Sequence, residues 1–381
     1  MAEITFSKEE LSRYNRHLII PEFNIEGQRK LKGAKVLVVG TGGLGAPLLQ
    51  YLAAAGVGTI GVLDFDIVED SNLQRQVLFS TDDIGKPKVL AAKERLEGLN
   101  PYINIVTHNV RLTSENALDI VKDYDLVADG TDNFPTRYLV NDACVLLGKT
   151  NVYASIYRFD GQVSVFNYKN EDGVFGPNYR DLFPSPPPPG LVPSCAEGGV
   201  LGVLPGIVGS LQANEVIKVI TGIGEPLVGR LFLFDAINFE TRTVKVHCDE
   251  NNPLNGKNPT ITELIDYQEF CGLKTSEEDG VKEISVKEFL DLQQSEEPFQ
   301  LIDVREDFEY EIANIEGVHI PLADVEEEVA QIVSDRKVVI HCKSGGRSKK
   351  AIELLEKEFG FSNLYNLTGG VDAYFDEVDA N

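Results

Sequence analysis

Val36-Leu-Val-Val-Gly40-Thr-Gly-Gly-Leu-Gly45 places four apolar residues directly ahead of a glycine-rich loop. The apolar run reads as a buried strand, and the loop as the turn that opens a helix. Gly40, Gly42 and Gly45 fit G-x-G-x-x-G, and Gly43 adds a fourth glycine. Glycines let backbone N–H groups approach a phosphate, and the helix N-terminus adds favourable partial charge. A second strand, Thr59-Ile-Gly-Val-Leu63, ends at Asp64, placed to bind a ribose hydroxyl. Taken alone, the loop predicts a dinucleotide-binding Rossmann sheet.

Downstream residues narrow that reading. Ser71-Asn-Leu-Gln-Arg-Gln76 and Gly85-Lys-Pro-Lys88 bring Arg75 and Lys88 close behind Asp64 in the chain. Strand Leu126-Val-Ala128 runs into Asp129-Gly-Thr-Asp132-Asn133. Carboxylates at the C-terminal end of a parallel strand lie where such sheets bind ligands. Helices are expected from Ser7, over Ala46–Ala55, Val89–Gly98 and Asn116–Val121, and around Gly206–Ile220. Arg13 and Arg16 are expected on one face of the first. Val152–Tyr157 and Gly161–Asn167 read as an antiparallel extension of the sheet, completed by strands near Leu231–Phe234 and Thr243–His247. Gly176 to Pro193, with Pro186-Pro-Pro-Pro189, is expected as an extended, exposed loop ahead of Cys195.

The chain has 381 residues, enough for two domains. A first domain over 1–250 is followed by a polar linker over 251–282, with a last helical segment near Thr260–Phe270, and a second domain over 283–381. The second reads as a small α/β unit: helix Val286–Leu292, strand Phe299–Asp303, strand Val338–His341, then Cys342-Lys-Ser-Gly-Gly-Arg347-Ser348 opening a helix to about Phe359. No internal repeat relates the halves.

Net charge is −25, which disfavours a nucleic-acid partner. From Val281 onward 23 acidic residues face 10 basic ones, read as a solvated surface. No run of about 18 apolar residues predicts a membrane span, and the N-terminus lacks a basic-then-apolar signal, so a cytoplasmic location is expected. The five cysteines (144, 195, 248, 271 and 342) include no C-x-x-C pair, so no disulfide framework is expected. Cys144 reads as core. Cys342 follows a buried strand and starts a loop whose N–H groups form an anion nest. Arg347 and the following helix N-terminus favour its thiolate, while Asp303 and Arg305 read as shaping the domain.

The ordered set Arg13-Tyr-Asn-Arg16, Gly40–Gly45, Asp64-Phe-Asp66, Ser71–Gln76, Gly85–Lys88, Thr131-Asp-Asn133 and Ser194-Cys-Ala-Glu-Gly-Gly-Val200 resembles the MoeB/ThiF/HesA adenylyltransferases, bacterial relatives of ubiquitin-activating enzymes. Leu301-Ile-Asp-Val-Arg-Glu306, Cys342–Ser348 and Leu367-Thr-Gly-Gly370 resemble a rhodanese. The resemblance implies that ATP and Mg²⁺ activate the C-terminal Gly-Gly carboxylate of a ubiquitin-like sulfur carrier as an acyl-adenylate. It implies Arg16 donated across a homodimer interface, Arg75 and Lys88 on the phosphates, Asp132 on Mg²⁺, Asp64 on ribose, and Ser71, Asn72 and Asn133 as polar contacts. A sulfur donor such as a cysteine desulfurase would load Cys342 as a persulfide that attacks the adenylate, while the proline-rich loop crosses over the carrier's tail and Cys195 attacks the adenylate or a later persulfide. The alternatives are a Cys195 thioester serving protein conjugation, a dinucleotide-dependent oxidoreductase, and a non-catalytic scaffold. Two departures stand out. The family's two pairs of zinc cysteines are replaced in Gly176-Pro-Asn178-Tyr-Arg-Asp181 and Asn252-Pro-Leu-Asn-Gly256, so no zinc is expected, since a structural site needs about four ligands. In the rhodanese half Asn314, Glu316 and Tyr374 replace the usual His, Pro and Trp, at positions read as structural.

Overall fold

The structure is a computed structural model that describes residues 4–187, 198–272, 280–295 and 297–379. It comprises two compact units, Met1–Lys274 and Thr275–Asn381.

The first unit is built on an eight-stranded sheet ordered β3-β2-β1-β4-β5-β6-β7-β8. Strands β1 (Lys35–Val39), β2 (Thr59–Leu63), β3 (Asn104–His108), β4 (Leu126–Asp129) and β5 (Thr150–Tyr157) pair in parallel. Beyond β5 the pairing turns antiparallel through β6 (Asp160–Phe166), β7 (Arg230–Asp235) and β8 (Glu240–Lys245). A strand covered on both faces must be apolar throughout, and β1 obeys this. Val36 and Val38 join the core beneath helices Gly45–Ala55 and Leu204–Thr221, while Leu37 and Val39 join the core beneath helix Phe134–Leu146. Among the described residues, no helix is long and apolar enough to cross a membrane.

Several expectations change on folding. The N-terminal helix is two short ones, Lys8–Arg13 and Asn15–Leu18, so Arg13 and Arg16 do not share a helix. Buried Tyr14 breaks the run, its hydroxyl accepting from Asn100 Nδ2 at 2.8 Å. The stretch expected to be exposed from Gly176 instead begins with a short helix, Tyr179–Leu182, whose Tyr179 and Arg180 are buried. The reason is Arg180, 1% exposed, whose Nε and Nη2 donate to Asp142 at 2.9 and 2.7 Å. Residues 251–272, read as linker, pack on the first unit. Asn252, Leu254 and Tyr267 are buried, and the Tyr267 hydroxyl donates to Asp142 at 2.8 Å. Only Tyr267–Phe270 of the expected helix near 260–270 forms, capped by the Asp266 carboxylate. The expected linker residues 275–279, and Cys195, lie outside the described residues.

The second unit is a parallel five-stranded sheet ordered β11-β10-β12-β13-β9. Its strands are β9 (Glu283–Ile284), β10 (Phe299–Asp303), β11 (Val318–His319), β12 (Lys337–His341) and β13 (Leu364–Leu367). Helices include Val286–Gln294, Asp307–Ile312, Gly346–Phe359 and Gly370–Asp379. Ser285 and Glu288 form the capping box that starts the first of these.

Candidate functional site

The strand order reverses beside β1, with β2 on one side and β4 on the other, and the C-terminal ends of all three open into one cavity of about 340 Å³. Such switch points are where open α/β sheets take their ligands. Gly40 has φ +91°, a left-handed conformation suited to glycine. A Cβ on Gly45 would lie 2.0 Å from the Gly40 carbonyl oxygen, so the loop folds tightly back on the start of the helix. Asp64 fastens this loop to the end of β2. Its Oδ2 accepts from the Thr41 N–H and hydroxyl at 2.8 and 2.6 Å, and its Oδ1 from the Asp66 N–H at 3.0 Å.

Gly40, Gly42, Gly43, Asp64, Asn72, Arg75, Lys88, Asp132 and Asn133 all line the cavity; Gly45, Ser71 and Arg16 do not. Arg16 is exposed on the Asn15–Leu18 helix. Lys88 is buried at the first position of helix Lys88–Leu99, where the helix dipole disfavours a cation. Asp66 offsets this, its Oδ2 standing 3.2 Å from Lys88 Nζ. Arg75 Nη1 donates to the Ser71 carbonyl at 3.1 Å. Asn72 and Asn133 also order their own turns. Asn72 Oδ1 accepts from the Glu69 N–H, and Asn133 caps helix Phe134–Leu146 through the Thr136 N–H at 3.0 Å. Asp132 is exposed at the cavity edge.

Two cationic residues of the cavity escape a reading of the sequence. Arg137 is buried and donates to the Thr131 carbonyl, 3.1 Å from Nη2. Arg111 stacks on the Phe65 ring at 3.8 Å. The available signal for Arg137 was its place one turn after the Asn133 cap, which turns it back toward the end of β4. Arg137 also lowers the pKa of buried Asp129, but burial wins and pushes that carboxyl up.

In the second unit, β12 delivers Cys342 to a loop closed by Gly345, at φ +96°. The Gly345 N–H donates to Cys342 Sγ at 3.2 Å, and Ser348 Oγ lies 3.5 Å from the same sulfur. From the far side, Val371 and Asp372 donate their N–H groups to the carbonyls of Cys342 and Lys343, at 2.9 and 3.1 Å. Gly370 permits this approach, since a Cβ there would lie 2.5 Å from both carbonyl oxygens. The cysteine sits at the floor of this cradle, 1% exposed. Arg347 is not directed at sulfur alone, as its sequence position suggested. It forms a two-pronged ion pair with Glu309 of helix Asp307–Ile312. The Arg347 hydrogen bonds hold the Glu309 carboxyl below its usual range and raise the guanidinium in turn. Asp303 and Arg305 form a buried pair, 2.6 Å apart, and Arg305 Nη2 also donates to the Ala313 carbonyl at 2.8 Å, a structural role. Cys144, Cys271 and Cys248 stand apart from both sites. Burial pushes all three thiols up, Cys271 to about 11.

The ThiF family matches residues 14–255, well over half of the chain. The chain belongs to the ThiF family. A rhodanese-like domain matches residues 285–377. Mycobacterium tuberculosis MoeZ, named a probable adenylyltransferase/sulfurtransferase, is 49% identical over 97% of this chain and 93% of its own length. The sulfur carrier protein adenylyltransferase of Thermus thermophilus is 58% identical over 71% of this chain and 99% of its own length. The E. coli MccB crystal structure with ATP shares the fold, at a TM-score of 0.56 and 24% identity over 66% of this chain and 75% of that one. The chain is an enzyme with adenylyltransferase and sulfurtransferase activities.

At the positions where the resemblance placed zinc cysteines, the structure has a network of amides around one carboxylate. Asn252 Nδ2 and the Asp249 N–H both donate to Asp181 Oδ1 at 2.8 Å, and the Asn178 N–H donates to Asp181 Oδ2 at 2.7 Å. Asn178 Nδ2 donates to Asn255 Oδ1 at 3.1 Å. Three amides and one carboxylate, already hydrogen-bonded to one another, do not fit a zinc ion that selects thiolate and imidazole. Among the described residues no cluster of His, Cys, Asp and Glu is arranged to hold a metal.

Proposed function

We propose that the first unit binds ATP in the Gly40–Gly45 cradle and adenylates the C-terminal Gly-Gly carboxylate of a ubiquitin-like sulfur carrier protein. The carboxylate oxygen bonds the α-phosphorus and pyrophosphate leaves. The observation that carries this reading is the convergence of the glycine loop, Arg75, Lys88 and Asp132 on one cavity. Bringing a carboxylate to a triphosphate concentrates negative charge. Lys88 and Arg75 offset it, aided by Arg137 and Arg111 and by Arg16 from a second subunit of a homodimer. Preorganised donors of this kind are each worth roughly 2.7–4 kcal/mol in the transition state. The Gly42 and Gly43 N–H groups are placed to meet phosphate, while the Gly40 N–H is donated to the Leu63 carbonyl at 2.8 Å and Gly40 supplies the turn; Gly45 permits the close turn that aims them. Asp64 fixes the loop and faces the ribose, with Ser71, Asn72 and Asn133 shaping the rim. Asp132, exposed at the cavity edge, suits Mg²⁺, a hard cation that would neutralise phosphate charge there.

Cys342 then carries the sulfur. A donor such as a cysteine desulfurase transfers a sulfur atom to its thiolate, and the Gly345 N–H steadies the sulfur so formed. The terminal sulfur attacks the acyl carbon, a C–S bond forms, and AMP leaves. Cleavage of the S–S bond by a reductant, or by the Cys195 thiolate forming a disulfide with Cys342, frees the thiocarboxylate. One chain carrying both activities raises the effective concentration of sulfur near a hydrolysable adenylate. The test is Cys342→Ala. It should exchange pyrophosphate with ATP at the normal rate when given carrier, yet make no thiocarboxylate. Full thiocarboxylate yield from that variant without added sulfide would sink the reading.

A further inference from the structure

Beneath Cys342 a chain of polar groups runs from buried Ser348 and Asn366 out to Glu283 at the surface. Ser348 Oγ, fully buried, is 2.6 Å from Asn366 Oδ1, 3.1 Å from the Gly345 carbonyl and 3.5 Å from Cys342 Sγ. Asn366 Nδ2 lies 2.8 Å from Glu283 Oε2, which also accepts from the Thr368 hydroxyl at 3.0 Å. Lys349 pairs with the other oxygen of Glu283 at 2.6 Å.

The donors and acceptors fix a direction. The Glu283 carboxylate, paired with Lys349, only accepts, so the amide nitrogen of Asn366 must face it. Asn366 Oδ1 therefore faces Ser348, and an amide oxygen also only accepts. A hydroxyl has a single proton. At 2.6 Å, Asn366 takes it, so Ser348 presents the sulfur with lone pairs alone.

We propose that Glu283 and Asn366 are positioning residues that hold the Ser348 hydroxyl as an acceptor toward Cys342, so that the relay orients the thiol proton and restrains its loss. This rests on Cys342 as the sulfur-carrying residue. Sulfur loading then depends on the cradle N–H of Gly345 rather than on the neighbouring hydroxyl. Of the other titratable groups near this loop, two are already paired. Arg347 is held by Glu309, Lys349 by Glu283, and His341 lies across the strand beside Asp303, while Lys343 is exposed.

The experiment follows alkylation of Cys342 by iodoacetamide in the full chain against pH, read by peptide mass so that the other thiols do not interfere. Removing an acceptor favours the thiolate, so in Ser348→Ala the midpoint of the pH–rate profile should fall by about half a pH unit, the scale of one weak hydrogen bond. Asn366→Leu removes the nearest acceptor and leaves the hydroxyl to share its proton between the Gly345 carbonyl, at 3.1 Å, and the sulfur, so it should lower the midpoint further, as should Glu283→Ala, which lets the amide turn. Both of these effects should vanish in the Ser348→Ala background. A midpoint that rises in Ser348→Ala shows a hydroxyl donating to sulfur and overturns the proposal. So does an unmoved profile, or an Asn366→Leu effect that persists without Ser348. Ser348→Ala alone is small enough to keep the test open if Asn366→Leu does not fold. Persulfide loading from thiosulfate is measured separately by mass. A wild-type chain that takes no sulfur at Cys342 removes the sulfur-carrying role, while the alkylation profile still reads the relay.

Discussion

Gly45→Ala probes how closely the nucleotide loop must fold. An alanine Cβ would lie 2.0 Å from the Gly40 carbonyl oxygen and 2.9 Å from its carbon, whereas ordinary contact begins near 3.4 Å. The obstacle is backbone, so helix Gly45–Ala55 and the end of β1 must part by about 1.4 Å, and no side chain can turn away instead. Overpacking of this kind costs roughly 1–3 kcal/mol of stability, or about 2–4 °C of melting temperature per kcal/mol in a unit of this size. The loop N–H groups would move by a similar distance, and a misplacement near 1 Å costs about 100-fold in rate, or roughly 2.7 kcal/mol. Two neighbouring glycines serve as internal standards. At Gly43 a Cβ meets the Pro205 side chain at 3.1 Å, and at Gly42 only Gln76 Nε2 at 3.7 Å. Calorimetry of the intact chain should therefore rank the alanine variants Gly45, Gly43, Gly42 in order of falling damage to the first unit, and carrier-dependent pyrophosphate exchange should collapse for Gly45→Ala. A Gly45→Ala protein that melts and exchanges like the parent, or a Gly42→Ala protein destabilised as much, would refute the reasoning.

Lys88→Met keeps the apolar stem that packs at the helix start but removes the charge, so pyrophosphate exchange should fall about 10²–10³-fold, while the melting temperature changes little because the partner Asp66 is half-exposed. An exchange rate within a few-fold of the parent would remove Lys88 from the phosphate site. In the second unit, His341 is fully buried, and burial pushes its pKa down to about 4 despite the nearby Asp303 carboxylate. Its folded pKa is below its unfolded value near 6.5, so the unfolded chain binds the extra proton between these limits. Stability is fully present above about pH 6.5 and is lost as pH falls toward 4, at up to roughly 1.4 kcal/mol per pH unit. Denaturant melts of the second unit across that window should show this slope, and His341→Leu should flatten it. The Glu309–Arg347 pair adds a loss in the same direction at more acid pH, because the depressed Glu309 carboxyl must be protonated.

How far the molecule could be read from its sequence depends on where each partner lies along the chain. The glycine loop, Asp64, Arg75 and Lys88 are spaced by one strand–helix–strand repeat, and the offset itself announces their meeting. Cys342, Gly345 and Ser348 sit on one turn, so their contacts are also local. Glu309 reaches Arg347 from 38 residues away, and Arg180 finds Asp142 across the same interval. Neither pairing leaves a periodicity to detect. The proline content after Gly176 pointed to an exposed loop, but composition says nothing of a buried aspartate waiting elsewhere, so the helix Tyr179–Leu182 went unseen. Arg16 has the opposite history. Its motif is plain in the sequence, yet the folded chain leaves it exposed and apart from the cavity.

The corner built from Asn178, Asp181, Asn252 and Asn255 gives the first unit a chemical clock. A thiolate corner fails by oxidation, whereas an amide corner ages, because asparagine is thermally labile. An asparagine followed by glycine is most exposed to attack on its side chain by the next backbone nitrogen, and Asn255 precedes Gly256. Here the attacking N–H is already donated to the Asn252 carbonyl at 2.8 Å, in a turn so tight that a Cβ on Gly256 would lie 2.6 Å from backbone oxygen. The turn that places Asn255 for its bond to Asn178 thus also withholds the nucleophile that would destroy it. Deamidation of that residue is a record of time spent unfolded, which peptide masses of protein aged with and without urea would read directly.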